Sequence, residues 1–457
     1  MFKRILEKMV QRKLANLRSG QLILDLADRQ IRFGNEGSVP SVIIHVHNDR
    51  LFQRIAWGGD LGAAESYMDG DWDCDDLVNL FRIMIANLDT ADALKRGSGR
   101  IRAKLLHLAQ ILRPNLQRRA KQNILQHYDL SNNFFANFLD PTLSYSSAIF
   151  ADPQESLENA SLRKLQLVCE KLQLSPAHHL LEIGTGWGSL AIFAAKNYGC
   201  RVTTTTVSDQ QFRLAGERIR QFGLESQITL LNRDYRELKG TFDRIVSIEM
   251  IEAVGHRFLK HFFSCCNRLL DPSGLMLLQG IVIRDQRFEF HTKNIDFMRR
   301  YIFPGGCLPS VTALLHAMTE GSEMRMLHLE DIAAHYPPTL LSWLNAFDHN
   351  EPSIRELGFD ERFLRMWRFY FCYCAAAFLE RQVNNIQALF AGPLSRHDVT
   401  QFQWNLKDLA VRNLAARPCN DVDQNGRAAE IADSMHAFST DSYPRFRPDS
   451  VSVSGEL

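Results

Sequence analysis

The stretch His179-Leu180-Leu181-Glu182-Ile183-Gly184-Thr185-Gly186-Trp187-Gly188-Ser189 decides how this chain is read. An apolar run ends in an acid, three glycines follow at alternate positions, and residues 190–195 continue as an apolar, helix-like segment. This order predicts a buried parallel strand, a tight turn and a helix N-terminus. Glycines let backbone approach a ligand closely, and the helix start offers unpaired N–H groups. An ordinary strand–turn–helix connection has the same outline, so spacing must discriminate. The dinucleotide fingerprint needs G-x-G-x-x-G, but here the third glycine comes one position early and Ser189 stands in its place. The Gly-Lys-Ser/Thr of a phosphate loop is absent.

Outward from this turn, residues 180–283 alternate apolar strands with helical segments. The strands are expected at about 180–183, 201–207, 228–232, 244–248 and 275–283. Such alternation gives a parallel sheet with helices on both faces, and ligands bind at the carboxyl ends of its strands. One rim then carries the glycine turn, residues 206–211, Asp234 with Tyr235, residues 249–252 and residues 279–281. The second strand ends in threonines rather than the acid that often grips a ribose. Upstream, His127-Tyr128-Asp129-Leu130-Ser131-Asn132, Phe134-Phe135, Leu139-Asp140 and Tyr145-Ser146-Ser147-Ala148 mix polar groups with aromatics, as a lid over a substrate or cofactor would. Downstream come an aromatic insertion around 297–309, a strand near 324–327, helices around 339–346 and 361–381, and a last strand near 387–390.

A chain of 457 residues implies two domains and a tail. The net charge of +1 argues against wholesale nucleic-acid binding. Nine cysteines without a C-x-x-C pair suit a reducing, cytosolic compartment. The longest apolar run, 369–379, is about half of a membrane span. The charge is nevertheless uneven. Residues 1–18 hold Lys3, Arg4, Lys8, Arg12, Lys13 and Arg18 against Glu7, at spacings that allow a basic amphipathic helix. Such a helix either lies on an anionic bilayer or packs on its own domain. Residues 95–121 carry nine Lys or Arg and no acid, as an interdomain linker and a contact for phospholipid headgroups would. No nucleic-acid recognition motif accompanies them. Short strands are expected at 22–25, 30–33 and 41–47. His45 and His47 share a face there without a third metal ligand. Residues 69–80 look like a calcium loop, but Cys74 replaces its glycine and Leu80 its final glutamate. Asp75 is read instead as the N-cap of a helix over 77–86. From residue 418 on, the composition suits a flexible tail.

E-x-G-x-G-x-G resembles the first motif of S-adenosylmethionine-dependent methyltransferases. Over about residues 61–393 the chain resembles the cyclopropane-fatty-acyl-phospholipid synthase family, with the related mycolic acid methyltransferases. The likeness rests on E-S-Y-M-D-G-D-W (65–72), H-Y-D-L-S-N (127–132), Tyr145-Ser146, the glycine motif and Y-I-F-P-G-G-C-L-P-S (301–310). The resemblance implies an α/β, class I, Rossmann-like methyltransferase domain with a mostly parallel sheet at 123–393, including an acyl-chain-binding insertion. It further implies a smaller α+β, lipid-binding-like domain at 1–90, a basic linker at 91–122 and a C-terminal extension at 394–457. The implied reaction adds a methylene from S-adenosylmethionine across a cis double bond of an unsaturated phospholipid acyl chain. The implied setting is cytoplasmic and peripheral at the inner membrane surface, with a homodimer and without nucleic acid or metal.

Carried over residue by residue, the cofactor site comprises Tyr145, Ser146, Leu180, Leu181, Glu182, Ile183, Gly184, Thr185, Gly186, Trp187, Gly188, Thr206, Val207, Ser208, Asp209, Gln210, Gln211, Asp234 and Tyr235. In the family a bound bicarbonate acts as base. Its cage maps onto Glu252, the backbone of Ile281, Tyr336 and Cys374. Two positions depart: Ser147 replaces a cysteine, and Gln279 replaces a histidine. Glutamine can donate a hydrogen bond but cannot become cationic or relay a proton. Bicarbonate binding and the proton exit are therefore in question. Read singly, Cys374 would be a packed core cysteine, Glu252 a helix cap and Tyr336 an ordinary tyrosine. Alternatives left open are a methyl- or methylene-branched product, an inactive lipid-binding homologue, and a methyltransferase of small molecules or nucleic acid.

Overall fold

The computed structural model describes residues 2–87, 131–397 and Arg412. The basic tract 95–121, residues 127–130 of the expected lid and the tail from 418 lie outside the described residues. Eleven strands are described: β1 Gln21–Asp25, β2 Gln30–Gly34, β3 Ser41–Val46, β4 Trp72–Cys74, β5 His179–Ile183, β6 Arg201–Thr206, β7 Ile228–Asn232, β8 Phe242–Ile248, β9 Leu270–Ile283, β10 Arg325–Asp331 and β11 Val383–Ala391.

The alternating region forms a seven-stranded sheet of order β10-β11-β9-β8-β5-β6-β7. Strands β5 to β9 run parallel, whereas β11 pairs antiparallel with β9 and with β10. Leu180, Leu181 and residues 275–278 are fully buried, as expected of strands covered on both faces. From β5 the chain proceeds to β6 and β7 on one side, then returns to place β8 and β9 on the other. The gap between β5 and β8 is therefore the topological switch point, where such sheets open a crevice. β11 is longer than the expected strand 387–390, because residues 383–386, including Asn384 and Asn385, belong to it. Polar residues on a buried strand hide its length in the sequence.

The N-terminal sheet has order β2-β1-β3-β4. The basic helix Phe2–Leu14 buries Leu6, Val10 and Leu14 within its own domain, while Lys8 and Arg12 stay exposed. Most of its apolar stripe is thus covered, while Ile5 stays 56% exposed. His45 and His47 bond separately to Asp25 (2.9 Å) and Asp73 (2.8 Å). The helix Leu77–Ala86 forms as expected, but Asp76, not Asp75, caps it by accepting from the Asn79 N–H at 2.9 Å. Asp75 instead accepts from the Ile43 N–H (2.9 Å), one residue too early to reach the helix.

E-S-Y-M-D-G-D-W fastens this sheet to the helix Glu361–Leu379. Tyr301 Oη donates to Glu65 (2.8 Å), and Asp69 accepts from Arg54 (2.6 Å) and Arg362 (2.8 Å). Arg365 lies over the Tyr67 ring (4.1 Å) and donates to the carbonyls of Tyr67 (2.6 Å) and Trp72 (2.7 Å). One apolar core, rich in aromatic pairs, consequently runs from the small sheet through Phe134, Phe138, Trp343 and Trp367 to Tyr336. No helix among the described residues is long and apolar enough to cross a membrane.

Candidate active site

Gly184, Gly186 and Gly188 all have positive φ (103°, 52° and 87°), a region that side chains other than glycine's strain to enter. A Cβ on Gly186 would meet nothing within 4 Å, so its face opens into space. One on Gly188 would lie 3.4 Å from Ala215, so that glycine serves helix packing. The N–H groups of Gly184 and Thr185 both donate to the Thr205 carbonyl (3.1 Å each), which fixes the turn against β6.

Beside this turn is a cavity of about 190 Å³. Its wall includes Tyr145, Ser146, Glu182, Ile183, Gly184, Thr185, Gly186, Trp187, Thr206, Val207, Gln211, Asp234 and Tyr235 from the expected cofactor set. Leu180 and Leu181 sit behind it in the sheet core. Ser208 caps the helix Asp209–Gln221 by accepting from the Gln211 N–H (3.3 Å). Asp209 and Gln210 stand outside the wall, with Asp209 exposed and bonded to Asn232 (2.6 Å). None of the three lines the cavity, and of them Ser208 holds the backbone of Gln211. Thr206 Oγ1 donates to Gln211 Oε1 (2.8 Å), which leaves the amide nitrogen of Gln211 as its donor end.

Two buried ionisable groups line the same wall. Burial pushes the Glu182 carboxyl up to about 8, while a hydrogen bond from Thr204 (2.5 Å) opposes the shift. Lys164, 2% exposed, donates to Ser146 Oγ at 2.9 Å. Burial lowers its pKa, and the carboxylates of Glu249, Asp140 and Glu182 counter that. Lys164 was not foreseen, since a lysine within an amphipathic helix reads as a solvated one. A glycine cradle, a buried lysine beside a buried carboxyl group, and amide and hydroxyl donors suit a ligand with an amino-acid end and a ribose. S-adenosylmethionine fits that description.

The second cluster lies across the switch point and centres on a residue that the sequence placed only on the rim. Glu249, just past β8, has φ 48°, a left-handed conformation that costs a non-glycine residue about 1–2 kcal/mol. Its N–H donates to the Gln279 carbonyl (2.8 Å), which turns the side chain toward the cavity it lines. Oε1 accepts from the Ser147 N–H (3.0 Å), Gln279 Nε2 (2.8 Å) and Asn385 Nδ2 (2.7 Å). Oε2 accepts from Tyr336 Oη at 2.6 Å. Three of these donors stand at positions of the family's bicarbonate cage, Tyr336 as a match and Ser147 and Gln279 as the two departures. The group they converge on is the side chain of Glu249. Ser147 contributes its backbone, for its hydroxyl donates to the Ala148 carbonyl (3.1 Å).

Glu252 lies next to this group. Burial, then the negative charge of Glu249, pushes its carboxyl up to about 8. One oxygen accepts from the Ile281 N–H, and the other is buried without a hydrogen-bond partner. Cys374 faces Met298 Sδ at 3.9 Å, one helical turn beyond Tyr370, and burial raises its pKa strongly. The Tyr370 hydroxyl meets that of Tyr145 at 3.0 Å. Glu249 and Asn385 were both missed as site residues. The available signal was an acid just past the strand that flanks the switch point; for Asn385 there was none beyond a polar residue in an apolar run.

The mycolic acid cyclopropane synthetase family profile matches residues 115–388. The cyclopropane-fatty-acyl-phospholipid synthase of Escherichia coli K12 is 37% identical over 365 residues, covering 78% of this chain and 89% of that protein. A tuberculostearic acid methyltransferase of Mycobacterium tuberculosis is 34% identical over 354 residues, covering 74% and 80%. Among solved structures, the cyclopropane synthase MmaA2 of M. tuberculosis superposes with a TM-score of 0.56 at 28% identity, covering 59% of this chain and 98% of that one. The mycolic acid cyclopropane synthase CmaA1, solved with SAH, gives 0.55 at 30%, with the same shares.

Proposed function

This chain belongs to the mycolic acid cyclopropane synthetase family and is an S-adenosylmethionine-dependent methyltransferase, and from that premise we propose how it turns a lipid alkene into a cyclopropane with a base of its own. The substrate in this reading is a cis-unsaturated acyl chain of a membrane phospholipid, reached from the inner membrane surface. The observation that carries the reading of the base is the Glu249 carboxylate held by four donors, three of them at positions of the family's anion cage.

When bound, S-adenosylmethionine supplies an electrophilic methyl group. Gly184, Gly186, Gln211 and Lys164 would hold it, with Lys164 and Ser146 suited to its carboxylate and Gln211 to its ribose. An alkene is a weak nucleophile, so alignment in a site shielded from water is the first contribution of the protein. Methylation leaves a cation on the acyl chain. The Glu249 carboxylate and the rings of Tyr145 and Trp343, 5.2 Å apart, are the groups suited to stabilise it. Glu249 then takes a proton from the new methyl, and the released C–H electron pair forms the third ring bond. Among its four donors only the Tyr336 hydroxyl can pass that proton on, since amides and a backbone N–H do not. Glu252, neutral at pH 7, adds no second negative charge beside the base. Bicarbonate has no role in this scheme.

The test uses purified enzyme, unsaturated phospholipid vesicles and S-adenosylmethionine, with mass spectrometry before and after ozonolysis. Ozone-resistant chains heavier by one CH₂ support ring closure. Ozone-cleavable chains of that mass would establish a methylene-branched product, and absence of transfer would establish an inactive homologue.

A further inference from the structure

Lys171 ends the helix Leu157–Lys171 and is 1% exposed. Burial lowers its pKa, and the charge of Glu330 opposes that. Its Nζ donates to Glu330 on β10 and to Gln387 Oε1 on β11. Gln387 Nε2 donates to Gln279 Oε1 (2.9 Å), its direct partner across the β11–β9 ladder. Gln279 Nε2 in turn donates to Glu249 Oε1 (2.8 Å). A continuous line of hydrogen bonds thus joins a buried ammonium to the proposed base.

The direction of that line is set chemically. An ammonium only donates, so Gln387 must turn its oxygen toward Lys171 and its nitrogen toward Gln279. Gln279 must then accept from Gln387 and present its own nitrogen to Glu249. Both amides point their positive ends at the carboxylate. Reversal would set the oxygen of Gln279 against an anion. Burial, and then the charge of Lys171, lowers the pKa of His328, on the same strand as Glu330. Nothing in the proposed chemistry otherwise requires a lysine here, and burying one is costly unless it is paired.

We infer that Lys171 is a positioning residue for the methyl-transfer reaction: through Gln387 and Gln279 it fixes the amide donor on Glu249 Oε1. The inference rests on the reading of Glu249 as base. Removal of the lysine frees Gln387 to turn, and Glu249 alone must then hold Gln279 in its donor orientation.

The experiment measures kcat and KM for labelled methyl transfer to unsaturated phospholipid vesicles, using full-length Lys171→Met and Lys171→Arg. Each is made in the parent and in a Glu249→Gln background. Loss of a well-directed hydrogen bond to a charged group predicts a fall in kcat of about tenfold for Lys171→Met, with KM for S-adenosylmethionine within about twofold. Lys171→Arg restores most of the rate, and Lys171→Met causes no further loss once Glu249 is Gln. If Lys171→Met does not fold, Gln387→Glu provides the same test: it keeps the lysine paired but has no N–H for Gln279, so the same fall in kcat is expected. An unchanged kcat in the folded variant, or losses that multiply independently, overturns the inference. Full activity of Glu249→Gln would overturn the reading of the base itself. A damaged Glu249→Gln beside an unaffected Lys171→Met would overturn the positioning role alone.

Discussion

Glu249→Gln separates the chemical role of this residue from its structural one. The amide oxygen can still accept from the Ser147 N–H, Gln279 and Asn385, the three bonds at 3.0, 2.8 and 2.7 Å. The new NH₂ group faces Tyr336, whose hydroxyl can rotate from donor to acceptor. No atom is lost and no cavity opens. Hydrogen bonds to a neutral amide are weaker than those to a carboxylate, but the cost of keeping a charge out of water also disappears. These terms oppose each other, and the net stability change is about 1 kcal/mol or less. Catalysis has no such compensation. Loss of a general base typically lowers the rate by about 10²–10⁴, or roughly 3–5 kcal/mol of transition-state stabilisation. Removing an anion beside a developing cation adds to that. The assay is labelled methyl transfer to unsaturated phospholipid vesicles, paired with calorimetric binding of S-adenosylmethionine. Binding within about threefold of the parent and a kcat reduced at least a hundredfold are expected. A kcat within threefold of the parent refutes the reasoning.

Other outcomes follow from the same geometry. The Glu252 carboxyl is raised from 4.5 to about 8, so the folded protein keeps a proton that the unfolded chain releases. Stability therefore declines as pH rises from about 4.5 to 8 and levels off above; Glu252→Gln should remove roughly 2–4 kcal/mol of that decline in urea unfolding at pH 5 and pH 8. Gly186→Val puts a branched side chain at φ 52° and into the cavity, which should weaken S-adenosylmethionine binding by about tenfold or more in calorimetry. Arg365→Ala removes two donors from backbone carbonyls and a cation from the Tyr67 ring, and should destabilise the protein by about 2–4 kcal/mol in denaturant unfolding.

Much of this architecture could be read from the sequence because parallel, doubly covered strands write themselves as apolar runs. β5 to β9 were placed within a few residues, and the rim they define holds the glycine turn, Gln211 and Tyr235 as topology required. The motif 65–72 was visible as a resemblance, yet its work is done by Arg365 and Tyr301, far along the chain. Only the folded structure brings them together. The chemistry was harder to read because it depends on orientation. Ser147 and Gln279 were read as departures from a bicarbonate cage, and their convergence on Glu249 was not evident. Glu249 reaches it through a left-handed backbone turn that no side-chain pattern announces. Asn385 lay outside the expected strand 387–390, and Gln387 stood at its first position as if at its end. Lys164 and Lys171 would each be taken for exposed lysines, since burial of a charge is decided by partners more than 80 residues away in sequence, such as Glu249 and Glu330.

The central claim, that the carboxylate of Glu249 is the anion of this site, is tested most directly by methyl transfer to unsaturated phospholipid in buffer stripped of carbon dioxide, with and without added bicarbonate. Equal rates are expected for the native enzyme, and bicarbonate-dependent activity only when Glu249→Gly empties the cage. A native enzyme that loses its activity without bicarbonate and regains it on addition would contradict the account.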